Sequence, residues 1–181
     1  MLVALANGIE IVLDNTEAML KAIQNLTRQR VMVGIPSDSA GRPGGPINNA
    51  SLGYLHEFGS PARNLPARPW LYPEVARQQD KAVELLRRAA VFVTEGKAAD
   101  GQKQLEALGM MVTAAVKNNI LAGGDPPFHD WSDSYKRQRG VAGQKTRSAQ
   151  TPNAPKSGNY TILVDTAQML NSITYVIRNK S

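Results

Sequence analysis

Only two histidines, His56 and His129, occur in this 181-residue chain and cysteine is absent, so acid–base or metal chemistry has few possible builders. His56 and Glu57 are adjacent on a stretch that reads as helical. Consecutive helical side chains diverge by about 100°, so the two cannot both aim at one reacting atom. His129 with Asp130 and Asp133 has the residue types of a divalent-ion site. An ordinary capped turn accounts for the same three residues. The glycine clusters at 41–45 and 123–125 lack the Lys-Ser/Thr of a phosphate-binding loop and the spacing of a dinucleotide fingerprint. No serine sits in a nucleophile elbow. The residues therefore predict no catalytic group, no cofactor and no metal site.

The segment with positive content runs from Tyr54 to Pro73. Its aromatics, an acid and an arginine stand between prolines, which gives the rigid side-chain presentation common at interface anchors. The plainer reading is that Phe58, Trp70 and Tyr72 cap the core.

The elements that must position these residues can be read from periodicity. Ile9, Ile11 and Leu13 alternate as a short strand, and Asn15 or Thr16 caps a helix carrying Met19, Ile23 and Leu26 to about Arg30. Residues 31–35 form a β-branched strand, and 36–49 is too rich in Gly and Pro to be an element, which predicts a flexible arm or an extended hairpin tip. Asn49 or Ser51 caps a short helix through Leu52, Leu55 and Phe58, stopped by Gly59. Beyond Pro73, the positions Val75, Ala82, Val83, Leu86, Ala90 and Val93 predict one face of a long helix. A second helix carries Leu105, Leu108, Val112, Val116 and Ile120 up to Gly123. Ser132 caps one or two turns at 131–139, Asp165 or Thr166 caps a turn with Met169 and Leu170, and Ile173, Tyr175 and Ile177 alternate as a last strand.

These elements predict a single α+β domain over 1–181. A small antiparallel sheet, made of the N-terminal strands and the C-terminal strand, packs against two or three helices with long loops between. The C-terminal strand is expected to pair antiparallel with the 31–35 strand. Hydrophobic residues at 42% and charged residues at 20% suit a globular chain, and no run approaches the roughly 18 apolar residues of a membrane span. The 1–6 stretch meets Glu10 and Asp14 too soon for a secretory signal. Without cysteine, stability beyond the core must come from partner subunits. Half of the net charge of +6 falls in 123–160, read as a flexible basic loop region.

Four short segments carry a resemblance. Val33-Gly-Ile, then Tyr54-x-x-Glu57-Phe58-Gly59, then Pro66-Ala-Arg68-Pro69-Trp70-Leu71 resembles the pattern "VG … Y-x-x-E-F-G … P-x-R-P-F" of neck and tail-completion proteins of long-tailed bacteriophages. Leu163-Val-Asp165-Thr166-Ala-Gln-Met-Leu170-Asn-Ser172-Ile173 is similar to their "L-x-D-T-G-x-L-x-x-S-I" segment. Trp70 replaces the usual Phe, and Ala167 stands where a Gly is common, which speaks against a left-handed or closely packed backbone there.

The resemblance implies a non-enzymatic virion protein, assembled in the host cytoplasm into a homo-oligomeric ring at the head–tail junction or the top of the tail. Its partners would be further copies of itself, connector or head-completion proteins, and tail-tube or tail-terminator proteins, with DNA as a non-specific passenger of the channel. Tyr54, Glu57, Phe58, Arg68, Trp70, Tyr72, Asp165 and Thr166 are then the candidate interface or motif residues. Glu57 and Arg68 are expected to pair within the motif or with a neighbouring subunit. The rival reading is a nucleic-acid-binding module that uses the basic 136–147 segment. A hydrolase built on a metal at His129 is the third.

Overall fold

The computed structural model describes residues 3–4, 10–11, 16–138, 140, 161–164 and 167–180. In chain order the elements are β1 (Val3–Ala4), β2 (Glu10–Ile11), α1 (Thr16–Arg28), β3 (Gln29–Gly34), α2 (Asn49–Phe58), α3 (Tyr72–Arg77), α4 (Gln79–Thr94), α5 (Ala98–Ala122), α6 (Asp133–Gln138), α7 (Gln168–Ser172) and β4 (Thr174–Asn179). The fold is α+β, a small two-stranded antiparallel sheet packed against several helices. No helix among the described residues is long and apolar enough to cross a membrane.

Helix α5 is the axis of the molecule, 25 residues or about 37 Å long at 1.5 Å per residue. Its buried residues Leu105, Leu108, Val112, Val116 and Ile120 recur at helical spacing, as the sequence predicts. They meet Trp70, Phe128, Ile162, Met169, Leu170 and Ile173 in the hydrophobic core. Two glycines permit the close approach of neighbours. A Cβ on Gly101 would stand 2.8 Å from Val93 of α4, and one on Gly109 would overlap the Tyr175 ring of β4. Gly123, at φ 94°, ends the helix in the left-handed region.

The predicted pairing of the C-terminal strand is present. β3 and β4 run antiparallel in the register Val31–Ile177 and Val33–Tyr175. Side chains of paired residues share a face, so Val31, Val33 and Tyr175 lie toward α5, while Arg30, Met32 and Arg178 are exposed on the other side.

Three expectations need correction. The 9–13 strand does not join this sheet. Glu10–Ile11 pairs with Val3–Ala4 in a separate ladder, a local closure with little loop entropy to overcome. The long helix after Pro73 is two helices, because Gln78 takes ψ 3° instead of a helical value. That break shifts the phase of α4 relative to α3, so Ala82, Leu85, Ala89 and Val93 face the core while Val75, Val83, Leu86 and Ala90 are exposed.

The 36–49 segment, expected to be a flexible arm, contains a 3-10 turn at Ser37–Ser39 and the buried Ala40. Asn49 ties it down. Its Nδ2 donates to the Gly41 carbonyl at 2.8 Å and to Ser172 Oγ at 2.7 Å, and its backbone N–H donates to the Ala40 carbonyl at 2.8 Å. Within the predicted basic loop region, residue 139 and residues 141–160 lie outside the described residues.

Candidate functional site

The 54–73 segment folds back on itself around one carboxylate. Asn48 caps α2 by accepting from the Ser51 N–H at 2.8 Å, and Gly59 ends the helix at φ 73°. A Cβ on Gly59 would stand 2.7 Å from the Ala67 nitrogen and 2.8 Å from the Leu65 oxygen, so only glycine lets the returning chain pass. Ser60 and Leu65 then exchange backbone hydrogen bonds at 2.8 and 3.0 Å, and Asn64 takes a left-handed turn between them. The returning strand reaches α2 again, where the Arg68 N–H donates to the His56 carbonyl at 2.6 Å.

Glu57 is the buried centre of this arrangement. Its Oε2 accepts from the backbone N–H groups of Trp70 at 2.8 Å and Leu71 at 2.9 Å, and its Oε1 accepts from that of Tyr72 at 3.0 Å. Helix α3 begins at Tyr72 with no cap from a side chain of its own N-cap residue, Leu71. Glu57 supplies that cap from another helix, and Pro73 removes one further donor that would need a partner. Trp70, only 3% exposed, packs in the core and donates Nε1–H to the Gly53 carbonyl at 3.0 Å.

Arg68 is also buried, and it pairs with backbone. Its Nε donates to the His129 carbonyl at 2.6 Å and a terminal nitrogen donates to the Asp130 carbonyl at 3.1 Å, which ties the strap to the chain leaving α5. Burial draws its guanidinium below the ordinary arginine value, while the charge of Asp130 opposes that shift. Glu57 and Arg68 thus both act within the fold, each on main-chain groups, and the structure shows no ion pair between them among the described residues.

The aromatic candidates divide. Trp70 is core, whereas Tyr54, Phe58 and Tyr72 are 65%, 61% and 76% exposed. Tyr54 and Phe58 lie one helical turn apart with ring centroids 4.8 Å apart, and Tyr72 starts the helix that Glu57 caps. Asp165 and Thr166 lie outside the described residues. The rest of the C-terminal segment is structural, since Ile162, Met169, Leu170 and Ile173 enter the core and Ser172 holds Asn49. Ala167 keeps a left-handed backbone at φ 57° and ψ 5° although it is not glycine.

A cleft of about 1000 Å³ opens beside the strap, walled by Leu52, Leu55, Trp131, Tyr135, Leu163 and Met169, with Arg42, Arg63, Arg68 and His56 among its polar groups. His56 is lowered from 6.5 to about 4, first by burial and then by the charges of Arg68 and Arg42. It is therefore neutral at pH 7 and no proton donor there, and its Nδ1 has no hydrogen-bond partner among the described residues. His129, Asp130 and Asp133 do not form a ligand set. Among the described residues no group of three or more His, Cys, Asp or Glu side chains is placed to hold a metal ion, and Asp130 accepts from Lys136 Nζ at 2.6 Å.

Sequence reasoning missed Asn49 as a buried tie, because an asparagine in a Gly/Pro-rich stretch has the same signature as a turn residue or an N-cap. It also missed Glu74, buried and bonded to Arg77 and Gln78, which the i, i+3 and i, i+4 spacing could have suggested. Compared with known protein families, curated proteins and solved structures, the chain matches none.

Proposed function

We propose that the chain is a structural virion protein of a bacteriophage, a neck or tail-completion subunit that forms a ring at the head–tail junction around the DNA channel, and that it is not an enzyme. The observation that carries the reading is the division of labour in the 54–73 motif. Its charged residues Glu57 and Arg68 are spent on main-chain groups inside the fold, while Tyr54, Phe58 and Tyr72 are left exposed around the same junction. A monomer gains little from three large exposed aromatics, whereas a contact between subunits buries them to advantage. Head-to-tail contacts of identical copies form a ring when the rotation between neighbours closes.

The rival use of the 136–147 segment as a nucleic-acid arm has less support, because Lys136 already pairs with Asp130. Native mass spectrometry of the wild-type chain and of the triple variant Tyr54→Ser, Phe58→Ser, Tyr72→Ser tests the proposal. The expected result is a multi-subunit wild type and a monomeric variant with an unchanged urea midpoint. A monomeric wild type, or a variant that assembles like it, overturns the reading.

A further inference from the structure

The face of the β3–β4 ladder turned away from α5 carries an arrangement that stability alone does not explain. Arg30 stands directly opposite Arg178 in the register, and both side chains are exposed. The Lys180 N–H donates to the Arg28 carbonyl at 2.6 Å, which extends the ladder and sets a second basic pair opposite each other. Hydrogen-bonded rungs alternate in an antiparallel ladder, so Arg30 and Arg178 also form such a rung, with Cα atoms about 5.5 Å apart. Like charges directly opposite one another in a sheet are destabilising. Among the described residues none of the four side chains has an ion-pair or hydrogen-bond partner. The position of Arg28 in the last turn of α1 suits the helix dipole, which accounts for one of the four.

We infer that this open sheet face is a binding site for the phosphate backbone of nucleic acid, with Arg30 and Arg178 at its centre and Arg28 and Lys180 beside them. The Arg30–Arg178 rung stands at the α1 end of the ladder, with Arg28 and Lys180 just beyond it. A cluster of cations this close suits a polyanion that presents one negative charge every about 3.4 Å of axis on each strand. Thr174, on the same face of β4, adds a hydroxyl and no charge. A second copy of the chain is a poor counter-anion, since it carries the same net charge of +6 and many of its described carboxylates already stand in ion pairs. The inference deepens the ring reading, from which it takes duplex DNA as the ligand, and places these residues on the channel side.

Fluorescence anisotropy of a labelled random-sequence duplex, with the full chain titrated at several salt concentrations, tests it. The variant Arg30→Gln, Arg178→Gln should lose roughly 10- to 100-fold in affinity near 0.1 M salt, and the slope of log affinity against log salt should fall by about 2. Its urea midpoint should be unchanged or raised, because a like-charge pair has gone. The control Lys136→Gln, Arg137→Gln removes the same charge elsewhere and should stay within about twofold of wild type. Equal losses in the two variants, no loss in either, or wild-type binding to anionic vesicles but not to DNA would each overturn the inference. Oligomeric mass read on the same samples separates the two ideas. A ring indifferent to DNA sinks this inference alone, and a monomer that binds through Arg30 and Arg178 sinks the ring alone.

Discussion

Replacing Glu57 with alanine should destabilise the chain by about 3 to 5 kcal/mol. The carboxylate is the acceptor for three main-chain donors, at Trp70, Leu71 and Tyr72. A hydrogen bond to a charged group contributes about 1.5 to 3 kcal/mol, and a buried donor left without a partner costs about 1 to 3 kcal/mol. Trp70 is in the core and bears that penalty in full. Leu71 and Tyr72 lie nearer the surface, where water can replace part of what they lose. The sum therefore falls well below three full penalties. Urea unfolding with tryptophan fluorescence as the probe at pH 7 gives the number directly, and the corresponding fall in Tm is about 6 to 20 °C. Glu57→Gln keeps one acceptor oxygen but turns an NH2 toward N–H donors, so its loss should be about half that of the alanine variant. If Glu57→Ala lies within about 0.5 kcal/mol of wild type with an unchanged m-value, the carboxylate is not the cap of α3 and the reading of the motif as a structural staple fails.

Gly109→Ala should destabilise by about 1 to 3 kcal/mol despite alanine's better helix propensity, because the new Cβ overlaps the Tyr175 ring. An equal or higher urea midpoint would contradict the α5–β4 packing. Ala167→Gly should do the reverse and stabilise by about 0.5 to 1 kcal/mol, since relief of a left-handed alanine at φ 57° outweighs the added freedom of the unfolded chain. A destabilised variant would show that the backbone there is not left-handed. His56 makes stability pH-dependent. The unfolded chain takes up its proton near 6.5 and the folded chain resists until about 4, so stability is full above 6.5, falls as the pH drops through that window, and loses nothing further below it. At 1.36 kcal/mol per pH unit between the two values the loss approaches about 3 kcal/mol. Chemical denaturation of wild type and His56→Gln between pH 7 and 4 should show a flatter profile for the variant, and parallel profiles would refute the assignment.

Much of the framework was legible because local and global signals agree. The β-branched run at 31–35 and the alternation at 173–177 each need a strand partner and a cover, and the structure pairs them under α5. The aliphatic stripe from Leu105 to Ile120 spans about four turns without interruption, so its face could be read with little error. The face of α4 could not. Its phase is set by the break at Gln78, a single residue's departure from helical ψ that periodicity does not register. The same limit applies to the site. Glu57, Arg68 and Trp70 stood out by type and spacing, but their partners are backbone groups, and a carbonyl or amide leaves no mark in a residue pattern. Asn49 was hidden for the same reason, since its role is fixed by Gly41 and by Ser172, 123 residues away. The Arg30–Arg178 rung needed the register, not the composition, to be seen.

The proposal that the chain is a ring subunit at the head–tail junction of a long-tailed phage is tested most directly by electron cryo-microscopy of phage particles assembled with this chain present, at a resolution that traces helices. The expected map holds a closed ring between connector and tail, with density for the α4–α5 pair and the β3–β4 ladder in every subunit. In that ring the exposed Tyr54, Phe58 and Tyr72 are buried between neighbours, and Arg30 and Arg178 face the channel. Particles in which the junction is built entirely from other chains, with this one absent, would contradict it.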